Sequence, residues 1–350
     1  MRVQTCREMS TIEYGRLGGC SGRVYLGGGP CHPLMFRFAR RQLSTKTLPP
    51  FILYDIPGTV TKHQSWSPNV WKTRCVAVIT THTDDSISFW DDTCNRIVLN
   101  YKGIPHKTEW VEFPDITKVA KQIGAPHTFL RRSGEPLYTV PILRDPTTDQ
   151  CLAGSLQIAL NLDRLYPHSP KLFPPGTEDQ IADFDNKFYR SVAIALGPLL
   201  LSRTWAQLRD DGGSKDYFRT TRERMFRGSL ESFSVPGPAT DARWIAVREA
   251  LEPFAKDADV RATGASDTFL LGERETYADV VAVSWLSWAR RMWGADTREW
   301  TELERWHDGR WGRLVRAFKK WEYFYTPSAP DSAKCVFPLF ELTFFAEKKR

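Results

Sequence analysis

Two stretches of this chain carry residue types able to hold and polarise an extended, anionic ligand. In the first, Val140-Pro141 opens an apolar run, the turn-prone Asp145-Pro-Thr-Thr-Asp149 follows, and a second run ends at Gly154-Ser155. Proline is tolerated at the start of a strand, and an X-Pro bond there is open to the cis form. The amide and carbonyl of Val140 then face outward. With the amides at a helix start beside Ser155 they form a pocket for an extended peptide bearing a carboxylate, an ordinary surface hairpin being the alternative. The second stretch is Ser65-Trp-Ser67-Pro68-Asn69. Proline suits a first helical turn, which makes Ser67 the natural N-cap and leaves Ser65, Ser67 and Asn69 as hydroxyl or amide donors at a helix start.

The elements that must position these residues follow from hydrophobic periodicity. From Phe51 the pattern runs strand, loop, helix, strand, helix, hairpin, helix, the order of a thioredoxin-like domain. Thr108-Glu-Trp-Val-Glu-Phe113 alternates like a half-exposed strand, and Asp115 is placed to cap a helix running to Ile123. Ser155 starts a helix whose apolar face is Leu156, Ile158, Ala159, Leu162 and Leu165. Proline-rich Pro167–Thr177 reads as a linker. Helical periodicity then covers Glu178–Leu201, Asp216–Leu230, Asp241–Asp257, Ala278–Trp293, Asp296–Trp306 and Arg310–Tyr323, so the second domain is all-helical. Thr276-Tyr-Ala-Asp279 is a capping box with aspartate in the third place. Trp285, Trp288, Trp293, Trp300, Trp306 and Trp311 serve either core and interface packing or a pocket for a flat aromatic molecule.

Composition narrows the classes. A chain of 350 residues, 41% hydrophobic, can bury two modest cores, and it contains no run of eighteen apolar residues. Its net charge of +7 is spread along the chain, which favours anionic ligands over sequence-specific nucleic-acid binding. Seven cysteines at irregular spacing, without Cys-x-x-Cys, suit a reducing compartment and indicate no metal site.

Longer segments carry a resemblance. Phe51-Ile-Leu-Tyr-Asp-Ile-Pro57, Trp66-Ser-Pro-Asn-Val-Trp-Lys-Thr-Arg74, Ile97-Val-Leu-Asn-Tyr-Lys-Gly103, Thr108-Glu-Trp-Val-Glu-Phe-Pro-Asp115 and Tyr277-Ala-Asp279 resemble the glutathione transferases, in particular the fungal Fua class and the related bacterial beta-etherases. The resemblance implies an α/β plus all-α fold, a thioredoxin-like glutathione-binding domain followed by a helical one. It implies glutathione as cosubstrate, a hydrophobic aromatic second substrate, a cytoplasmic homodimer, and conjugation or ether cleavage as the reaction. A free thiol near pKa 8.5 is mostly protonated at neutral pH, so a donor must favour the thiolate. The resemblance gives that role to Ser67, with Ser65 and Asn69 as rivals. It places Val140, beside Pro141, on the peptide backbone of glutathione and Ser155, beside Gly154, on its γ-glutamyl carboxylate. Lys72, Arg74, His127 and Arg132 are candidates for the glycine carboxylate, with solvated surface charge as the alternative. No cysteine lies in Ser65–Asn69, which favours a transferase or etherase activity over the thiol-exchange classes. A non-catalytic ligandin and an inactive paralogue are the competing functions.

Two departures stand out. Gly154 occupies a position where the family has an acid, so a contact to the γ-glutamyl amine is missing. Cys75–Arg96, 22 residues rich in β-branched and acidic types, separates two halves of one amphipathic helix, either as a translated intron or as a genuine loop. The expected domains are a leader over 1–49, disordered or a mitochondrial targeting arm, then 50–166 with the insert at 75–96, a linker over 167–177, a helical domain over 178–324, and a tail over 325–350.

Overall fold

The computed structural model describes residues 49–59, 66–73, 98–131, 133–261 and 267–321. Residues 1–48 of the leader, the insert, the tail, Ser65, Arg74 and Arg132 lie outside the described residues.

The first domain is built around β1 (Phe51–Asp55), all five residues of which are buried. It pairs in parallel with β2 (His106–Trp110) on one side and antiparallel with β5 (Ile142–Arg144) on the other; β6 (Cys151–Ala153) completes the order β2-β1-β5-β6. Burial of β2 alternates, one face toward the core, but the strand spans His106–Trp110 rather than the expected Thr108–Phe113, because Phe113 opens a 3-10 turn. Local chemistry closes the β5–β6 turn: the Asp145 side chain accepts from Thr147 N–H at 2.9 Å while its carbonyl accepts from Asp149 N–H at 2.8 Å. Helices α1 (Pro68–Trp71), α2 (Val98–Tyr101), α3 (Ile116–Gln122) and α4 (Ser155–Leu165) cover the sheet. A two-stranded ribbon of β3 (Phe129–Leu130) and β4 (Pro136–Leu137), which periodicity does not reveal, precedes Val140.

One expected cap is corrected. Asp115 precedes α3 but sits in helical geometry, after a 3-10 turn at Phe113–Asp115, and its carboxylate makes no cap bond. Gly154 precedes α4 and has no side chain to cap with, and Ser155 is the first helical residue, as its sequence anticipates.

Helices α1 and α2 meet across the insert. The Thr73 carbonyl accepts from Leu99 N–H at 3.0 Å. These residues are 26 positions apart, and four apart once the 22 residues Cys75–Arg96 are set aside, which is the spacing of an α-helical hydrogen bond. A variant lacking Cys75–Arg96 is therefore expected to keep the fold. Relief of loop closure should raise its unfolding free energy by about 2–3 kcal/mol, read as a higher denaturant midpoint. A lower midpoint would mean that the insert makes stabilising contacts of its own.

The segment 167–177 has no regular structure beyond turns, yet it is not a loose tether. Asp163 of α4 accepts from the amides of Leu172 and Phe173 at 3.1 and 2.9 Å and pairs with Lys102, and Phe173 stacks on Tyr277 with centroids 5.2 Å apart. Beyond it come α5 (Glu178–Phe188), a π turn at Tyr189–Ala193, α6 (Ile194–Ala206), α7 (Ser214–Phe226), α8 (Pro238–Arg261), α9 (Tyr277–Trp293), α10 (Arg298–Leu303) and α11 (Trp306–Phe318). The helical periodicity read over Glu178–Leu201 is met by α5, the π turn and α6, which follow one another without a break from Glu178 to Ala206.

Helix α9 is the axis of the second core, buried along nearly its whole length. Its capping box closes: Asp279 accepts from the Thr276 amide and hydroxyl, both at 2.8 Å, and also from Leu270 N–H at 2.7 Å. Burial outweighs those donors and pushes the Asp279 carboxyl up to about 6. The folded state then holds a proton that the unfolded chain, titrating near 3.8, has released. The contribution of this proton to stability is complete below about pH 4 and is lost as pH rises through 6, on the order of 3 kcal/mol in all. Denaturant unfolding across that window should show a downward slope that Asp279→Asn lacks; parallel profiles would refute it.

Candidate active site

A cleft of about 410 Å³ opens where the two domains meet. The first domain contributes the start of α1 (Trp66, Ser67, Pro68, Asn69), Lys72, the β4–β5 junction (Thr139, Val140, Pro141) and the start of α4 (Gly154, Ser155). The helical domain contributes Asp185, Tyr189, Tyr217, Phe218, Arg222, Trp285 and Trp288. Residues from both stretches singled out in the sequence therefore line one space.

Ser67 occupies the N-cap position of α1 in extended geometry (φ −70°, ψ 119°), with Pro68 beginning the helix. Its side chain makes no cap hydrogen bond, although the residue is only 6% exposed. The expectation that Ser67 caps is met in position and not in bonding, so the hydroxyl remains available to a ligand in the cleft. Trp66 fixes the preceding backbone by donating from its indole N–H to the Pro57 carbonyl at 3.4 Å. Asn69 is exposed on the same rim.

Val140 precedes a cis peptide bond to Pro141. Among the described residues neither its N–H nor its carbonyl pairs with another backbone group. Thr139 is held to Thr128 by a 2.8 Å hydroxyl contact, and the Pro141 carbonyl accepts from Gly154 N–H at 3.1 Å, which ties the head of β5 to the head of α4. Gly154 has φ +86° and ψ 130°, a region that residues with a β-carbon avoid, and an added β-carbon would lie 3.4 Å from the Thr128 methyl. Its glycine is thus a backbone requirement, and it reaches the cleft only through its main chain.

The charged candidates need correction. Lys72 is not solvated surface charge: it is buried, its ammonium lies 2.6 Å from Asp185 of α5, and it sits 5.7 Å from the Trp285 ring centroid. Asp185 has committed that charge, so Lys72 is a strut between the domains rather than a free carboxylate binder. His127 is exposed and lies outside the residues that line the cleft. Cys151 is no alternative nucleophile, because burial pushes its thiol up to about 11.

The tryptophans divide. Trp285 and Trp288 form an edge-to-face pair facing the cleft, and Tyr189 packs 6.0 Å from Trp285. Trp293 and Trp306 pack on Trp244 instead, while Trp300 and Trp311 are core residues. The sequence reading did not single out Asp185, Tyr189, Phe218 or Arg222. Their four-residue spacing (185/189, 218/222) marks shared helix faces, yet that periodicity does not say which cavity a face lines.

A four-stranded mixed sheet with a cis-proline loop, joined to an all-helical domain across a cleft, defines a glutathione transferase type of architecture. Comparison with known proteins agrees. The family model described as "Glutathione S-transferase, N-terminal domain" matches residues 95–165, and "Glutathione S-transferase, C-terminal domain" matches 181–321. The glutathione S-transferase-like protein ustS of Aspergillus flavus is 30% identical over 284 residues, 77% of this chain and 88% of that protein. Among solved structures, glutathione transferase GSTFuA3 from Phanerochaete chrysosporium is similar at TM-score 0.68 and 33% identity, covering 80% of this chain and 100% of that one. A glutathione S-transferase of Ceriporiopsis subvermispora, CsGST63524, solved in complex with glutathione, is similar at TM-score 0.66 and 36% identity, covering 81% and 100%. The chain belongs to the glutathione S-transferase family.

Proposed function

We propose that this protein is a glutathione transferase of the fungal Fua type, joining glutathione to hydrophobic aromatic electrophiles or cleaving aromatic ethers with it. The observation that carries the reading is the uncommitted Ser67 hydroxyl in the same cleft as the unpaired main chain of Val140 and the start of α4 at Ser155. These groups fit the tripeptide: Val140 pairs with its backbone, Ser155 and neighbouring amides take the γ-glutamyl carboxylate, and Ser67 donates to the sulfur. A hydrogen bond to the charged form lowers the thiol pKa and orients the thiolate. The thiolate forms a carbon–sulfur bond at the electrophilic carbon as halide or phenolate departs with the bonding pair, and water protonates the phenolate.

Gly154 supplies no carboxylate for the γ-glutamyl amine, and Asp185 lines the same cleft. Among the described residues lining the cleft it is the one carboxylate, and its charge is shared with Lys72, which points to modest glutathione affinity. A ligandin that stores aromatic molecules without turnover is the second reading, favoured by the Trp285–Trp288 wall. Similarity to the Fua class supports a cytoplasmic homodimer. No helix of the described residues is long and apolar enough to cross a membrane.

Titrating the full chain with glutathione by calorimetry, together with assay of aryl halide conjugation, tests the reading. Saturable binding with turnover supports it. Dye binding without turnover would leave the ligandin, and loss of both would leave an inactive paralogue.

A further inference from the structure

The cleft contains a cation that no carboxylate among the described residues neutralises. Arg222 lies on α7, lines the cleft, and rests on two rings, its guanidinium carbon 4.9 Å from the Phe218 centroid and 5.8 Å from that of Phe113. It donates one hydrogen bond, from Nη1 to the Thr221 hydroxyl at 3.0 Å. Among the described residues no carboxylate stands within ion-pair distance of it. Arg219, one turn away on the same helix, shows the usual arrangement: it is paired with both Glu223 and Glu231 on the outer face. Asp185, the carboxylate lining the cleft, is engaged by Lys72. Burial pulls the Arg222 guanidinium below its ordinary value, while the hydroxyls of Tyr189 and Tyr217 act in the opposite direction. The residue is half-buried, and donors of its guanidinium without an acceptor among the described residues are open to a ligand that enters the cleft.

We propose that Arg222 selects an aromatic second substrate that carries an anionic group, a carboxylate or sulfonate on or next to its ring. The planar guanidinium takes two oxygens of such a group side by side, while Phe113, Phe218, Trp285 and Trp288 enclose the ring. This rests on the transferase reading of the cleft and narrows it. Apart from Asp185, the peptide contacts assigned above come from the first domain, whereas Arg222 lies on α7 against the Phe218 ring, which assigns the anion it meets to the second substrate rather than to glutathione.

The test compares two probes of nearly the same shape, anilinonaphthalene sulfonate and its uncharged parent phenylnaphthylamine, by fluorescence titration of the full chain. The wild type should bind the sulfonate on the order of tenfold more tightly than the parent, the size of one charge-assisted contact. Arg222→Met should abolish that preference and Arg222→Lys should restore part of it. Equal affinities in the wild type overturn the proposal even if the methionine variant does not fold. So does a preference that survives Arg222→Met, or a fall in glutathione affinity in that variant with sulfonate binding unchanged. Calorimetric titration of the wild type with glutathione judges the parent reading separately. No heat of binding there, with the Arg222-dependent preference intact, would remove the transferase assignment and leave the anion site standing.

Discussion

Ser67→Ala should lower kcat/KM for conjugation of a neutral aryl halide by roughly 10–100-fold near pH 6.5 and approach wild-type rates above pH 9. The range follows from the worth of one hydrogen bond to a charged partner, about 1.5–3 kcal/mol, at 1.36 kcal/mol per factor of ten. The pH dependence carries the sign. A donor to sulfur stabilises the thiolate, so its removal returns the bound thiol toward its ordinary pKa near 8.5, and the deficit is largest where the thiol is protonated. Because the Ser67 side chain makes no cap bond, the alanine variant should lose less than about 0.5 kcal/mol of stability. A purely structural serine would show the opposite pattern, a stability loss with an unshifted pH–rate profile. Ser67→Thr should keep most of the activity. If Ser67→Ala is silent while Asn69→Ala or Ser65→Ala shifts the profile, the donor is one of those rivals.

The second large effect lies away from the cleft. Asp163→Ala is expected to destabilise the protein by about 3–5 kcal/mol, the cost of stranding a buried charge together with unsatisfied amides. The Lys102 side chain is 0% exposed and that of Asp163 is 8% exposed. Burial already lowers the Lys102 pKa, and the bond and charge of Asp163 are what oppose it. Without the carboxylate, buried Lys102 keeps only neutral acceptors, the Ser169 hydroxyl at 3.1 Å and the Pro170 carbonyl at 3.0 Å, and the Leu172 and Phe173 amides lose their acceptor. Chemical denaturation of the single variants and of Asp163→Ala/Lys102→Met measures the coupling, and the double variant should recover part of the loss. Additive single effects would show that the pair does not act as a unit. Since Leu172 accepts from Tyr277 N–H at 2.9 Å, the same change loosens the junction on which the cleft is built.

What the amino-acid sequence determined by itself is what depends on near neighbours. The β5–β6 hairpin was legible because Asp145, Pro146 and Asp149 make their own turn, and the capping box because Thr276 and Asp279 are three residues apart. The helical character of the second domain and the position of Ser67 before Pro68 were equally local. Interruption of the first helix was visible as a break in period, but the bond from Leu99 to Thr73 was not, since it joins residues on either side of the insert. Tertiary structure decided the remainder. Asp115 looked like a cap, but a 3-10 turn places it in helical geometry. Lys72 looked like surface charge, but its partner Asp185 is 113 positions away, and no local pattern encodes that pairing. Arg222 differs from Arg219 only in the side of α7 it occupies, one meeting carboxylates and the other an aromatic cleft. Short-range periodicity reports which residues share a face. What that face meets is set by packing between elements distant in the chain, where burial and charge compensation are settled together.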